Sequence, residues 1–180
     1  MGNNASAGKP KSVSGAVYIA PKETALPTDA STQLDGAFES VGYISDDGLT
    51  NSMSMSSDDK KAWGGLIVMS TVTEVVDEFK FTMISPQNEH ALKLVFGDDN
   101  VTASSGKIDI KKNAKEHEAH AFVVEIIVDG RAKRIVIPNG KLKETGDVVY
   151  NDSDAVGYEV TIAALADEND NTHYEYMVTA

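Results

Sequence analysis

Phe122-Val-Val-Glu-Ile-Ile-Val128, then Asp129-Gly130, then Arg131-Ala-Lys-Arg-Ile-Val-Ile137 is the stretch whose reading decides the fold. Two runs of strand length, rich in β-branched residues, flank a two-residue Asp-Gly. A type I′ hairpin turn needs positive φ at both central positions, which is why this dipeptide is favoured there. The spacing therefore predicts an antiparallel hairpin in the middle of the fold. Working outward, Pro138-Asn139-Gly140 predicts a further turn, with Lys141–Tyr150 returning and Asn151–Asp154 turning again. Gly157–Leu165 alternates Tyr158, Val160, Ile162 and Ala164 against Glu159 and Thr161, the period of a half-buried strand. A final strand sets Tyr174, Tyr176 and Val178 on one face.

The N-terminal half follows the same grammar. Leu66–Ile84 is β throughout, with Phe79, Phe81 and Met83 on one face and Lys80 and Thr82 on the other. Earlier strands are expected at Ala16–Ala20, closed by Pro21, and at Phe38–Ser45, joined by a polar link over Lys22–Thr32. Lys107–Lys111 is a short strand. One helix is expected between Ser85 as N-cap, with Pro86 as its first residue, and Gly97 as its end. Ala91, Leu92, Val95 and Phe96 form its apolar stripe. The fold class expected is mainly β: two packed antiparallel sheets, sandwich- or barrel-like, with one flanking α-helix and a long projecting loop. A chain of 180 residues fits a single domain over 1–180.

Two segments resist this grammar. Residues 1–15 hold three Ser and three Gly, with Lys9-Pro10-Lys11 between them and Val13 as the one large apolar residue after Met1. Such a segment buries too little to order itself, so it is either a flexible tail or an arm that orders against a partner. Residues 46–65 run from Asp46-Asp47-Gly48 through Ser52-Met53-Ser54-Met55-Ser56 and Asp58-Asp59-Lys60-Lys61 to Trp63-Gly64-Gly65. A structureless loop that long is uncommon in a compact domain. The Met-Ser alternation has strand period, and a lone two-stranded ribbon is marginal in water. The segment is thus either a floppy loop or a projecting hairpin that another subunit completes.

With 28 acidic against 16 basic residues the formal charge is −12. That argues against a grip on DNA, RNA or anionic lipid, which phosphate contacts by Lys and Arg would supply. There is no cysteine, so neither disulfides nor thiolate metal sites are available. No apolar run reaches the roughly 20 residues of a membrane helix, and no membrane role is expected. Met1–Ser6 has no apolar h-region, so no signal peptide is expected, although the pattern fits myristoylation. The sequons at Asn4, Asn100 and Asn151 carry little weight without a secretory route.

Chemistry is sparse. No phosphate loop, dinucleotide fingerprint or nucleophile elbow occurs. Glu116-His117-Glu118-Ala119-His120 spaces its histidines by three, where a zinc-protease helix needs four. Asp167-Glu168-Asn169-Asp170-Asn171 starts like a calcium loop but has Thr172 at the glycine position and Val178 at the glutamate position. No catalytic residue, no metal and no cofactor is expected, and the chain is not read as an enzyme.

Lys133-Arg-Ile-Val-Ile-Pro-Asn-Gly140 followed by Ala155-Val-Gly-Tyr-Glu-Val-Thr-Ile162 resembles the C-terminal half of major tail tube proteins of long, non-contractile-tailed bacteriophages. The polar arm Lys9–Gly15, the strand Ala16–Pro21 and the segment Gly42-Tyr-Ile-Ser-Asp-Asp-Gly-Leu-Thr50 are similar to the start of that family. The resemblance implies hexameric rings stacked into a hollow tube that carries DNA to the host cell. The partners it implies are further copies of the chain and the tape measure, tail tip and tail terminator proteins. DNA would pass without specific binding. The place implied is the virion tail, after assembly in the host cytoplasm. Carried onto this chain, the arm 1–15 and the loop 46–65 become the inter-ring candidates. Met53, Met55, Trp63, Lys9 and Val13 are the expected contacts, and Asp46, Asp47, Asp58 and Asp59 the candidate acidic lumen or loop residues. Two other readings stay open: a carbohydrate-binding β-sandwich of a phage tail, suggested by the tyrosines at 150, 158, 174 and 176, and the tube of a contractile or secretion machine.

Overall fold

The Asp129-Gly130 hairpin forms as the sequence predicts, with φ of 53° and 74° at its two central residues. The computed structural model describes residues 5–178; the start of the myristoylation pattern and the Asn4 sequon lie outside that range. In chain order the strands are β1 (Gly8–Pro10), β2 (Val17–Pro21), β3 (Glu39–Ser40), β4 (Ile44–Lys61) and β5 (Ile67–Met83), followed by the helix α1 (Glu89–Phe96). Then come β6 (Val101–Ser104), β7 (Lys107–Ile110), β8 (His120–Val128), β9 (Arg131–Thr145), β10 (Tyr158–Ala164) and β11 (Tyr174–Met177).

The fold is mainly β, with two antiparallel sheets and one α-helix, the class expected from the sequence. The large sheet is open and runs β3-β2-β8-β9-β10-β5-β4, with β1 also on β8 and β11 also on β9. The small one is the β6-β7 hairpin. One face of the large sheet packs against α1: Val17, Phe79, Phe81, Met83, Phe122, Ile137, Val160 and Ile162 surround Ala91, Leu92, Leu94 and Val95. The other face is covered too. Ala20, Phe38, Ala121, Val123 and Val136 form a second cluster beneath Leu26, Leu34, Tyr174 and Tyr176. Burial on both faces explains why β8 reads as an apolar run interrupted only by Glu125, with Ala121–Glu125 all buried, where one-sided burial would give alternation. In β10 and the body half of β5 every second residue is buried, and there the alternation is visible in the sequence.

Four local expectations need correction. First, Pro138-Asn139-Gly140 is no turn: β9 continues through it with a register shift against β8, Pro138 and Asn139 standing opposite Ala121 alone. Gly140 is required for close packing, since a Cβ there would meet the Phe122 ring at 2.5 Å and Ile162 Cγ2 at 3.0 Å. Second, α1 starts at Glu89 and not at Pro86. Asn88 is the N-cap, accepting from Ala91 N–H at 3.0 Å, and Ser85 is diverted to accept from Tyr43 N–H at 2.9 Å. Third, the strand expected over Phe38–Ser45 is split into β3 and β4 by Gly42 at φ 89°. Fourth, the link after Pro21 is more than polar. It lays Leu26 over the second face and buries Ala30, and its Asp29 and Thr32 carbonyls accept from the buried Arg134 guanidinium at 2.7 and 2.8 Å.

Candidate assembly surface

β4 and β5 pair from Ile44↔Met83 to Lys61↔Ile67, with an irregular stretch between Ile44 and Leu49. β10 flanks β5 only from Glu78 to Met83. Beyond that point the pair is a two-stranded ribbon standing clear of the body, and nearly every residue from Ser52 to Val75 is exposed. The segment 46–65 supplies one arm and the tip of this ribbon; the rest of β5 supplies the other arm.

Residues opposite each other in an antiparallel ladder share a face. Asn51 faces Phe79, Met53 faces Asp77 and Met55 faces Val75, so the methionines continue the face that carries the buried Phe79 and Phe81. Two register shifts follow, at Ser56/Ser57 and Lys60/Lys61. Each leaves one extra residue on β5, Thr73 and Val68. The Thr73 hydroxyl donates to Ser56 O at 3.3 Å. The shifts act on the face count: Val75, Val72 and Ile67 stand at odd spacings, yet all three end on the methionine side, opposite Met55, Ser57 and Lys61. The other face is mostly polar, with Ser52, Ser54, Ser56, Asp58, Glu74 and Glu78 among its residues.

Met53 is 70% and Met55 68% exposed, and Trp63 at the tip is fully exposed. The tip itself is built by Ala62 N–H donating to Leu66 O at 2.7 Å and Gly65 N–H donating to Ala62 O at 2.9 Å. An apolar ribbon face of this extent has no counterpart elsewhere on the described residues. Ile67, Val72 and Val75 belong to it and were not singled out from the sequence; the strand was expected, but not the shifts that bring these three to one face.

The acidic candidates separate. Asp46 and Asp47 sit in the irregular stretch between Ile44 and Leu49 at the root of the ribbon, next to Gly48 at φ 73°. Asp58 and Asp59 stand near the tip on opposite faces, beside Lys60 and Lys61. All four carboxylates are exposed.

Lys9 and Val13 lie at the far side of the sheet from the ribbon. Gly8–Pro10 pair with Ile126–Val128 of β8, Lys9 opposite Ile127. Val13, in the bend between β1 and β2, is 74% exposed. The arm is fastened by Lys11, whose backbone N–H donates to Glu125 O at 3.0 Å and whose Nζ donates to Glu125 Oε1 at 2.9 Å. Glu125 also accepts from Arg134 Nε at 3.1 Å. Burial alone would push the Glu125 carboxyl up; hydrogen bonds from Arg134 and Lys11 outweigh it and hold the group below its ordinary value.

The histidine segment holds no constellation: His120 Nε2 pairs with Asp98 at 3.0 Å, which lowers the Asp98 pKa. No group of three or more metal-ligating side chains is found among the described residues. Asp167 is engaged in its own turn, accepting from Asn169 and Asn171 N–H at 2.8 and 3.0 Å and from Tyr174 O–H at 2.6 Å.

A family model described as "Phage tail tube protein" matches residues 1–180, the whole chain. The chain belongs to that family. No curated protein matches it in sequence. Membership makes it a structural component of a phage tail, and a tail tube subunit assembles with copies of itself. No helix among the described residues is long and apolar enough to cross a membrane.

Proposed function

We propose that this tail tube family member forms closed rings, hexameric by the family resemblance, and that the rings stack into the conduit through which DNA leaves the capsid. The single observation that carries the reading is the ribbon of β4 and β5. It leaves Met53, Met55, Val72, Val75 and Ile67 on one uncovered face and ends in the exposed Trp63. A free two-stranded ribbon is marginal in water, and a neighbouring copy that covers the apolar face stabilises both. A head-to-tail contact of this kind closes into a ring or continues as a filament. The arm, which here covers the end of β8, is the second element we assign to contacts between copies.

The net charge fits passage of DNA without retention. Fixed negative charge repels phosphate, and screening confines the effect to about 10 Å at physiological salt. Tape measure, tail tip and tail terminator proteins are the partners proposed at the tube's interior and ends, with assembly in the host cytoplasm. Tyr174 and Tyr176 stack on each other at 6.4 Å and pack on the second core cluster, which favours the tube reading over a carbohydrate-binding one.

Negative-stain electron microscopy of the concentrated protein, alone and with purified tail-tip complex as nucleator, should show rings or tubes. Met53→Ser/Met55→Ser protein should show none. Strictly monomeric parent protein under both conditions, or tubes from the double variant equal to the parent's, overturns the reading.

A further inference from the structure

The place where the ribbon leaves the body is marked by a buried carboxylate. Along β5 the buried positions are Met83, Phe81, Phe79 and then Asp77, which is 6% exposed; from Val75 outward the strand is in solvent. The alternation calls for one more apolar residue, and the chain places an acid there instead. A buried carboxylate is costly unless hydrogen bonds replace its water. Asp77 has three. Oδ1 accepts from Asn51 Nδ2 at 2.7 Å, and Oδ2 accepts from Thr172 Oγ1 at 2.6 Å and pairs with His173 Nδ1 at 2.5 Å.

The donors come from two directions. Asn51 is on β4, across the ladder, and its amide also donates to Glu78 O at 3.1 Å, which ties the two strands together at their exit. Thr172 and His173 come from the segment that leads into β11, roughly a hundred residues along the chain. That segment is part of the body: Tyr174 pairs with Val136 on β9. The His173 ring stands edge-on to Phe79, centroids 5.3 Å apart. The ribbon is therefore fastened to the body by side chains as well as by the ladder, at the point where backbone support from β10 ends.

We propose that Asp77 is a positioning residue that fixes the direction in which the ribbon projects, acting through Asn51 on the ribbon and Thr172 and His173 on the body. The latch itself stands on the structure alone; its consequence for rings rests on the assembly reading above. A head-to-tail interface closes only when each copy is rotated from the last by the correct angle. Loosening the ribbon's direction spoils closure without removing the apolar contacts, so Asp77 governs the uniformity of rings and Met53 and Met55 govern whether copies adhere.

The absence of cysteine makes the test direct. Lys61→Cys near the ribbon tip and Thr102→Cys on β6 accept two spin labels and no others, and pulsed electron paramagnetic resonance reads the distance distribution in the monomer. We expect one narrow distribution in this labelled parent. Asp77→Asn, which puts an N–H₂ where two donors converge, should widen it at least twofold while the far-ultraviolet circular dichroism is kept. Should Asp77→Asn fail to fold, Thr172→Val/His173→Phe keeps the acid and its Asn51 bond, and the same widening is expected. An equally narrow distribution in the folded variant, or a broad one already in the parent, overturns the latch. In micrographs Asp77→Asn should give open or mixed-diameter assemblies where Met53→Ser/Met55→Ser gives none; uniform tubes of parental diameter from Asp77→Asn overturn its role in closure. Failure of the parent to assemble sinks the assembly reading alone, because the distance measurement still decides the latch.

Discussion

Two hairpins of this chain follow the same local rules and serve opposite ends. The β8/β9 hairpin is capped by Asp129-Gly130 and buried on both faces, by α1 and its neighbours on one side and by Leu26, Leu34 and the β11 tyrosines on the other. The β4/β5 hairpin is longer, is capped by Ala62–Leu66, and beyond Asp77 is buried on neither face. Strand pairing alone thus says nothing of where the stability lies. It lies in β8/β9, and the free surface lies in β4/β5. Substitutions in the first should act on the monomer and substitutions in the second on the assembly.

The largest monomer effect expected is from Phe122→Ala, which empties the contact with Gly140 and Ile162 and should cost about 3–5 kcal/mol in chemical denaturation. Gly140→Ala attacks the same contact from the other side by overfilling it, with an expected loss of about 1–3 kcal/mol; Gly140→Ala combined with Phe122→Leu should recover part of that loss. Next comes acid. Glu125 is held below its ordinary pKa of 4.5 in the folded chain, so its contribution is present above that value and is lost as pH falls through the lower, folded one. Glu125→Gln protein should therefore show a smaller drop in Tm than the parent between about pH 6 and about pH 3. An equal drop in both would locate the acid sensitivity elsewhere. Smallest of all, Met53→Ser/Met55→Ser should change monomer stability by no more than about 0.5 kcal/mol, as surface changes do. A loss comparable to Phe122→Ala would show that the ribbon packs on the body after all and would erase the contrast.

What the sequence made legible follows the same division. Asp129-Gly130, the alternation through Phe79, Phe81 and Met83, and that from Tyr158 to Ala164 gave strands and faces, because a turn and a half-buried strand each have a short-range signature. Pro138-Asn139-Gly140 misled because glycine serves two needs, conformational freedom and close approach, and only the position of the Phe122 ring tells them apart. Ser85 and Asn88 compete for one cap, and the winner is set by Tyr43, distant in sequence. On the ribbon, Met53, Met55 and Trp63 were visible as apolar residues in a polar setting. Val72 and Val75 were hidden, since their odd spacing reads as opposite faces until the shift at Thr73 is known. Asp77 was one acid among 28, and nothing local marks it as buried.

The ribbon is also a lever. From Asn51 to Lys61 its arm is ten residues, which at strand rise is about 33 Å. A rotation of about 5° at the Asp77 end would carry the tip and Trp63 through about 3 Å, close to the width of a van der Waals contact. Ångström-scale play among Asn51, Thr172 and His173 is thus multiplied along the arm, so the tolerance demanded of one buried carboxylate is set by a tryptophan it never touches.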